Sequence, residues 1–309
     1  MRKSMDTKSW PPLPLAAWNE TYAALHLWTQ IVGKVRLAGA SPVNHWWHVP
    51  LYVTCSGLAT GTIPLGARSF QIEFDFIDHR LHVRTGEGLH RSFSLESRSV
   101  AAFYRKLMDL LHGLDLNVEI WPVPVEMPGE PVPFESDDAQ RPYEARHVEN
   151  LHRILLQVDR IFNVFRGRFV GKSSPVHFFW GAFDLCVTRF SGREAPPHPG
   201  GIPNVGDHVM REAYSHEVSS AGFWPGGGSI DDASFYAYAY PEPEGFSTYP
   251  ILPGDAYYHP EMREYILPYE AVRAANQPDE ALLQFLQATY EAGAELASWD
   301  RAALERPAP

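Results

Sequence analysis

Cysteine is scarce in this sequence: Cys55 and Cys186 are the only two among 309 residues. They form no CxxC pair and cannot build a disulfide framework, which points to a reducing, cytoplasmic setting. There is no run of 18 or more apolar residues, so no transmembrane helix is expected. The opening "MRKSMDTKSWPPLPL" has basic residues but no apolar stretch, so no signal peptide is expected either. Positive charge is also in short supply. Against 37 Asp and Glu stand 26 Lys and Arg, for a formal net charge of −11. Nucleic-acid backbones are held by clustered Lys and Arg, and no such cluster occurs, so neither nucleic acid nor membrane is expected as a partner.

Familiar reaction motifs are missing as well. No G-x-S-x-G elbow marks a nucleophilic serine. "VGKSS" at Val170–Ser174 resembles a phosphate-binding loop, but the upstream glycine that loop requires is replaced by Arg166. Fourteen His invite a metal reading, yet no H-E-x-x-H and no Cys/His cluster exists. The pairs His45/His48 and His79/His82 have a spacing that puts side chains on opposite faces of a strand. No metal is expected, and the sequence specifies no cofactor. Cys186 reads as a small buried hydrophobe.

What is present is an apolar content of 45%, enough for a sizeable core, with 9 Trp and 27 Pro. Two segments resemble each other: Ile31–Gly57 and Phe169–Gly192 both run V-G-K, S-P-V, His, aromatics, an apolar strand with one Cys, and Ser-Gly. Each follows a stretch of helical periodicity (Leu25, Trp28, Ile31, Val32, Val35; then Leu151, Ile154, Leu155, Val158, Ile161, Phe162, Phe165). Lys34 and Lys172 are expected to close these helices. Phe70, Ile72, Phe74 and Phe76 alternate with polar residues as a half-buried strand turning at Asp78-His79, "RSFSLESR" supplies another, and a helix over Val100–Leu111 stops near Gly113. Strands are predicted at 214–221, "ASFYAYAY" and "REYILPY", then a helix from Pro278. The fold class is therefore α+β: two diverged helix–antiparallel strands–helix units, an internal duplication packed as one compact body. Residues 1–121 form the first unit, 122–146 a Pro-rich acidic linker, and 147–309 the second unit.

The longest irregular stretch, Ser191–Gly228, is rich in Gly, Pro, His and aromatics and reads as a lid over a pocket. Beside it, Lys172, Arg189 and Arg193 are candidate anchors for a small polar or anionic ligand. His177 or His216 would serve as acid/base, with Glu217 as an alternative base, and Trp180 and Trp224 as walls. Asp184 and His198 complete the ligand-binding set. On one regular strand His177 and Asp184 would face opposite sides, so only one is expected in a given pocket. Tyr236, Tyr238 and Tyr240 share one strand face. The reading is of a small-molecule-binding protein, with His/Glu acid–base catalysis as an extension; the alternative is a non-catalytic interaction or scaffold protein, whose oligomeric state the sequence leaves open.

Several long motifs, among them "GKSSPVHFFWGAFDL", "REAYSHEVSSAGFWPG", "NHWWHVPLYV" and "EYILPYEAVR", resemble a family of uncharacterised, mainly bacterial proteins filed as a domain of unknown function. The resemblance spans essentially the whole chain and implies one complete unit. It implies no reaction, cofactor or partner.

Overall fold

The computed structural model describes residues 9–307 except 128 and 229; residues 1–8, on which part of the signal-peptide reading rests, lie outside the described residues. The first layer opens with α1 (Asn19–Gly39), whose Leu25, Trp28, Ile31, Val32 and Val35 are all buried. The expected stop at Gly33-Lys34 does not occur. One internal glycine costs a helix only about 1 kcal/mol, and Lys, Val, Arg, Leu and Ala carry the helix onward. Lys34 is thus inside α1 and not a cap. Gly33 has its own use: a Cβ there would collide with the Trp180 ring, which lies flat on the helix at this point.

After α1 come β1 (Tyr52–Val53), β2 (Gly57–Ala59), β3 (Ile63–Leu65), β4 (Arg68–Asp75), β5 (Arg80–Thr85) and β6 (His90–Ser94), all antiparallel. They form one sheet in the order β1-β2-β4-β5-β6, with β3 also beside β4. The alternation read in the sequence is realised in β4, where Phe70, Ile72 and Phe74 are buried and the residues between are half-exposed. α2 (Val100–His112) starts on the Ser99 side chain, which accepts from Ala102 N, and closes at Gly113 as expected. Its Phe103 stacks between Trp28 and Phe74.

The second layer is built on α3 (Ala145–Gly167), β7 (His177–Phe179), β8 (Asp184–Glu194), α4 (Asp207–Ala213), β9 (His216–Trp224), β10 (Ser234–Tyr240), β11 (Tyr257–His259), β12 (Glu264–Pro268), α5 (Tyr269–Ala274), α6 (Pro278–Leu296) and α7 (Arg301–Leu304). Its sheet runs β11-β12-β10-β9-β8-β7, again all antiparallel. The register gives the sheet two unlike faces. Leu185–Phe223–Phe235 and Val187–Ala221–Ala237 point toward α3 and α6. Cys186–Gly222–Tyr236 and Thr188–Ser220–Tyr238 point the other way. The two sheets are joined by an antiparallel bridge, Leu51 N to Phe178 O at 2.8 Å and Phe178 N to Leu51 O at 2.9 Å. One hydrophobic core extends from Trp10 to Trp299.

The chain is therefore α+β with two antiparallel sheets. Both halves run helix, strands, helix, but the two V-G-K segments differ: the first lies within α1, whereas the second follows the end of α3. Ser191–Gly228 is less irregular than expected. β8 continues to Glu194, α4 spans seven residues, and β9 occupies 216–224, leaving 195–206, 214–215 and 225–228 outside helices and strands. β9 realises the strand predicted at 214–221, shifted toward the C-terminus, and its Val218 to Phe223 is buried on both faces. Residues 122–146 lie against the body: Gln30 accepts from Val125 N and donates to Val125 O, both at 2.9 Å, and Phe134 is fully buried. No helix among the described residues is long and apolar enough to cross a membrane.

Candidate functional site

The polar face of the second sheet is the floor of a cavity of about 640 Å³, within the range of small-molecule sites. Trp46, Trp47, Trp121, Trp180 and Trp224 stand in its walls, and Asn204–Met210 with Ala213 and Tyr214 cover it. The covering therefore comes from the stretch expected to be a lid, now with α4 inside it.

On the floor, Tyr236 OH donates to Asp184 Oδ2. That reach across β9 depends on Gly222, because a Cβ at this position would occupy the Tyr236 ring. Beside it Tyr214 and Tyr238 share a hydrogen bond of 2.6 Å between hydroxyls, and Thr188 and Ser220 one of 2.9 Å. Glu264, at the start of β12, and Glu126, from the Pro-rich stretch, complete a row of three carboxyl groups in the lining. Burial pushes Asp184 up to about 6, with the Tyr236 hydrogen bond opposing it. Burial, then repulsion from Asp184, pushes Glu264 up to about 7. Glu126 is raised to about 7 by the same two causes, opposed by Lys34. Glu126 is solvent-exposed, so water screens this rise. Lys34, only 5% exposed, has its ammonium 4.8 Å from the Trp121 ring centroid. Burial pulls it down to about 8 against the pull of Glu126.

Backbone strain gathers here too. Of the nine non-glycine residues with left-handed backbone among the described residues, four line the cavity: His45, Trp46, Glu126 and Asn204. Such conformations cost of order 1–3 kcal/mol each and cluster at sites where a side chain must be aimed.

Of the residues expected from the sequence, His177, Trp180, Asp184 and Trp224 line the cavity together. The expectation that His177 and Asp184 exclude one another is corrected, because they are on different strands. A turn over Trp180–Phe183, with Phe183 left-handed, folds β7 onto β8 and pairs Phe179 with Asp184. Both side chains then share the floor face. His177 is 1% exposed, with neither ring nitrogen hydrogen-bonded, and burial pulls it down to about 3. Lys172 holds the rim: it donates to His45 Nε2 at 2.7 Å, while His45 Nδ1 contacts Ala213 O at 3.0 Å. Its own partner thus lies in the cavity wall.

The others point elsewhere. Arg189 is on the helix-facing side of β8, where it donates to Phe165 O at the end of α3 and lies over the Phe165 and Tyr290 rings. It serves the helix terminus in place of a ligand. Arg193 pairs with Glu217 at 2.7 Å and donates to Ala297 O, tying the sheet edge to the end of α6. His198 stacks on Tyr214 from outside the cavity. His216 lies against the His45 ring, 5.6 Å between centroids, behind the wall. Sequence reasoning missed Glu126, Glu264 and Tyr214, and read Lys34 as a cap. The Tyr236/Tyr238 alternation was the one signal that led to the floor.

Among the described residues, no group of three or more His, Cys, Asp or Glu is arranged to hold a metal ion. No curated protein and no solved structure matches the chain. The sequence pattern described as a family of unknown function, DUF5996, matches residues 10–306, and the chain belongs to that family.

Proposed function

We propose that this protein binds a small molecule in the cavity above the second sheet, with its apolar body between the tryptophans and its polar groups on the Asp184–Tyr236–Glu264 floor. The observation that carries the reading is the floor itself. A sheet face that would ordinarily be covered by apolar residues instead presents carboxyls and hydroxyls to a concave space of about 640 Å³, and an unpaired buried carboxyl is costly to keep. The sequence suggested a polar or anionic ligand; three carboxyls in the lining favour a polar one. Proton exchange near neutral pH belongs to these carboxyls. His177, held neutral down to about 3, can accept or donate a hydrogen bond but does not titrate in that range. A cytoplasmic setting fits the same reading, since Cys55 and Cys186 are both free thiols.

A thermal-shift screen of small amphiphiles tests this. Compounds that enter the cavity should raise the melting temperature of the wild type, by the equivalent of about 2.7 kcal/mol at one hundred times Kd. They should lose that effect in Val209→Phe/Ser220→Phe, which fills the space and whose folding is checked by circular dichroism. Equal shifts in both proteins, or none in either, would overturn the reading.

A further inference from the structure

The cavity has a charge asymmetry that narrows the ligand's chemistry. Its cations stand at the margins. Lys34 faces Glu126, the carboxyl whose pull it feels, and Lys172 is engaged with His45 at the opposite rim. Asp184 on β8 and Glu264 on β12 both line the cavity, with β9 and β10 between them, and neither is in an ion pair among the described residues. Burial acts on both, the Tyr236 hydroxyl and a backbone N–H act on Asp184, and Asp184 acts on Glu264; no cation is among these causes. Buried carboxylates are normally paired with a cation or fixed by several donors. Here one hydroxyl donor serves Asp184, while the surrounding hydroxyls are hydrogen-bonded in the pairs Tyr214–Tyr238 and Thr188–Ser220.

A second, independent feature points to an occupant. His177 lines the same cavity at 1% exposure, and neither of its ring nitrogens has a hydrogen-bond partner. A buried imidazole without a hydrogen-bond partner is costly to keep, and this one stands in the lining beside the carboxyls. The walls supply the rest: faces of Trp and Tyr attract a positive charge placed over them, as Lys34 already illustrates over Trp121.

We infer that the ligand is a monocationic amine with an aromatic or apolar body, its ammonium group set between Asp184 and Glu264 and its body between the tryptophan walls. This rests on the small-molecule reading above. The ammonium supplies the positive charge that the central carboxyl pair lacks, and no covalent step is involved. A neutral polar ligand would leave the carboxylates without a cation. An anionic one would add a like charge beside two carboxyls and is disfavoured on the same ground.

Three isosteric probes separate these possibilities: tryptamine, indole-3-ethanol and indole-3-acetate, each competing at pH 7.5 with the neutral fluorophore N-phenyl-1-naphthylamine. The fluorophore reports on the cavity without regard to charge; if it fails to bind, the small-molecule reading itself has failed, and that outcome is distinct from a failure of charge selection. Where the fluorophore binds, tryptamine should displace it at least about tenfold more tightly than the alcohol, and the acid should be weakest. Glu264→Gln should narrow the amine-to-alcohol ratio, and Asp184→Asn/Glu264→Gln should bring it to about one. The single variant keeps the test decisive if the double one does not fold. Equal or tighter binding of the alcohol or the acid to the wild type overturns the inference. So does a ratio unchanged by Glu264→Gln, and so does displacement by none of the three.

Discussion

Asp184 is the residue on which the site turns. It is 7% exposed, receives the Tyr236 hydroxyl and raises the pKa of Glu126, Glu264 and Tyr236 around it. The sequence offered it as a ligand-binding candidate but gave no sign of its neighbours. Glu126 arrives from a Pro-rich stretch with no periodicity to assign its direction, and Glu264 from the first position of a short strand. Arg189 illustrates the reverse error. A lone Arg near His and aromatics reads as a ligand anchor, yet strand alternation from Asp184 places it on the other face, a parity that the sequence did display. The raised carboxyl pKas set a pH dependence of stability. An unfolded Asp or Glu titrates near 4, whereas Asp184 folds with a value of about 6 and Glu264 with about 7. Between these limits the native state holds more protons than the unfolded one, so their contribution to stability falls as pH rises from about 4 toward 7. Asp184→Asn, whose amide oxygen still accepts from Tyr236, removes one of the titrating groups. Its stability relative to wild type should improve by roughly 1–3 kcal/mol between pH 5 and pH 8. Urea titrations at the two pH values would show it; a difference that stays constant or falls would count against ionisation at Asp184.

At the scale of elements, the helices and the alternating strands were legible and the hairpin at the site was not. α2 carried a helical stripe with a closing Gly, α6 opened on Pro278, and β4 alternated cleanly, so local chemistry specified each. The β7–β8 hairpin has no Asn-Gly or Asp-Gly signal. Its turn is "WGAF", and its left-handed residue is Phe183, a type that tolerates that conformation poorly. Tertiary packing imposes it: Phe183 is fully buried against Tyr22, His26 and Phe178. α1 likewise overran its expected stop, since a single Gly under Trp180 does not end a helix. The three central strands β8, β9 and β10 work as one element at the site, with Gly222 the clearance through which Tyr236 reaches Asp184. Gly222→Ala should cost about 1–3 kcal/mol in chemical denaturation, the usual penalty for overpacking, and weaken binding of any cavity probe. A neutral substitution would mean that Tyr236 is free to lie elsewhere.

For the whole molecule, the α+β class was readable, whereas the way the two antiparallel sheets meet was not. A two-hydrogen-bond bridge between Leu51 and Phe178, the grip of Gln30 on Val125, and a core continuous from Trp10 to Trp299 bind the layers together. None of these leaves a local signature, because each joins residues far apart in sequence. The cavity lies at this junction, with the end of α1, the 45–47 turn and the Pro-rich stretch on one side and the second sheet on the other. Unfolding should therefore be a single cooperative transition, with tryptophan fluorescence and far-ultraviolet circular dichroism coinciding along one urea curve; two separated transitions would show that the halves are independently stable. The central claim, that this junction encloses a small-molecule site, is tested most directly by titrating N-phenyl-1-naphthylamine into the protein and following energy transfer from the wall tryptophans. Saturable binding at one equivalent, abolished in the filled Val209→Phe/Ser220→Phe variant while its fold is retained, is the expected result. No saturable binding, or binding equally strong in the filled variant, would contradict it.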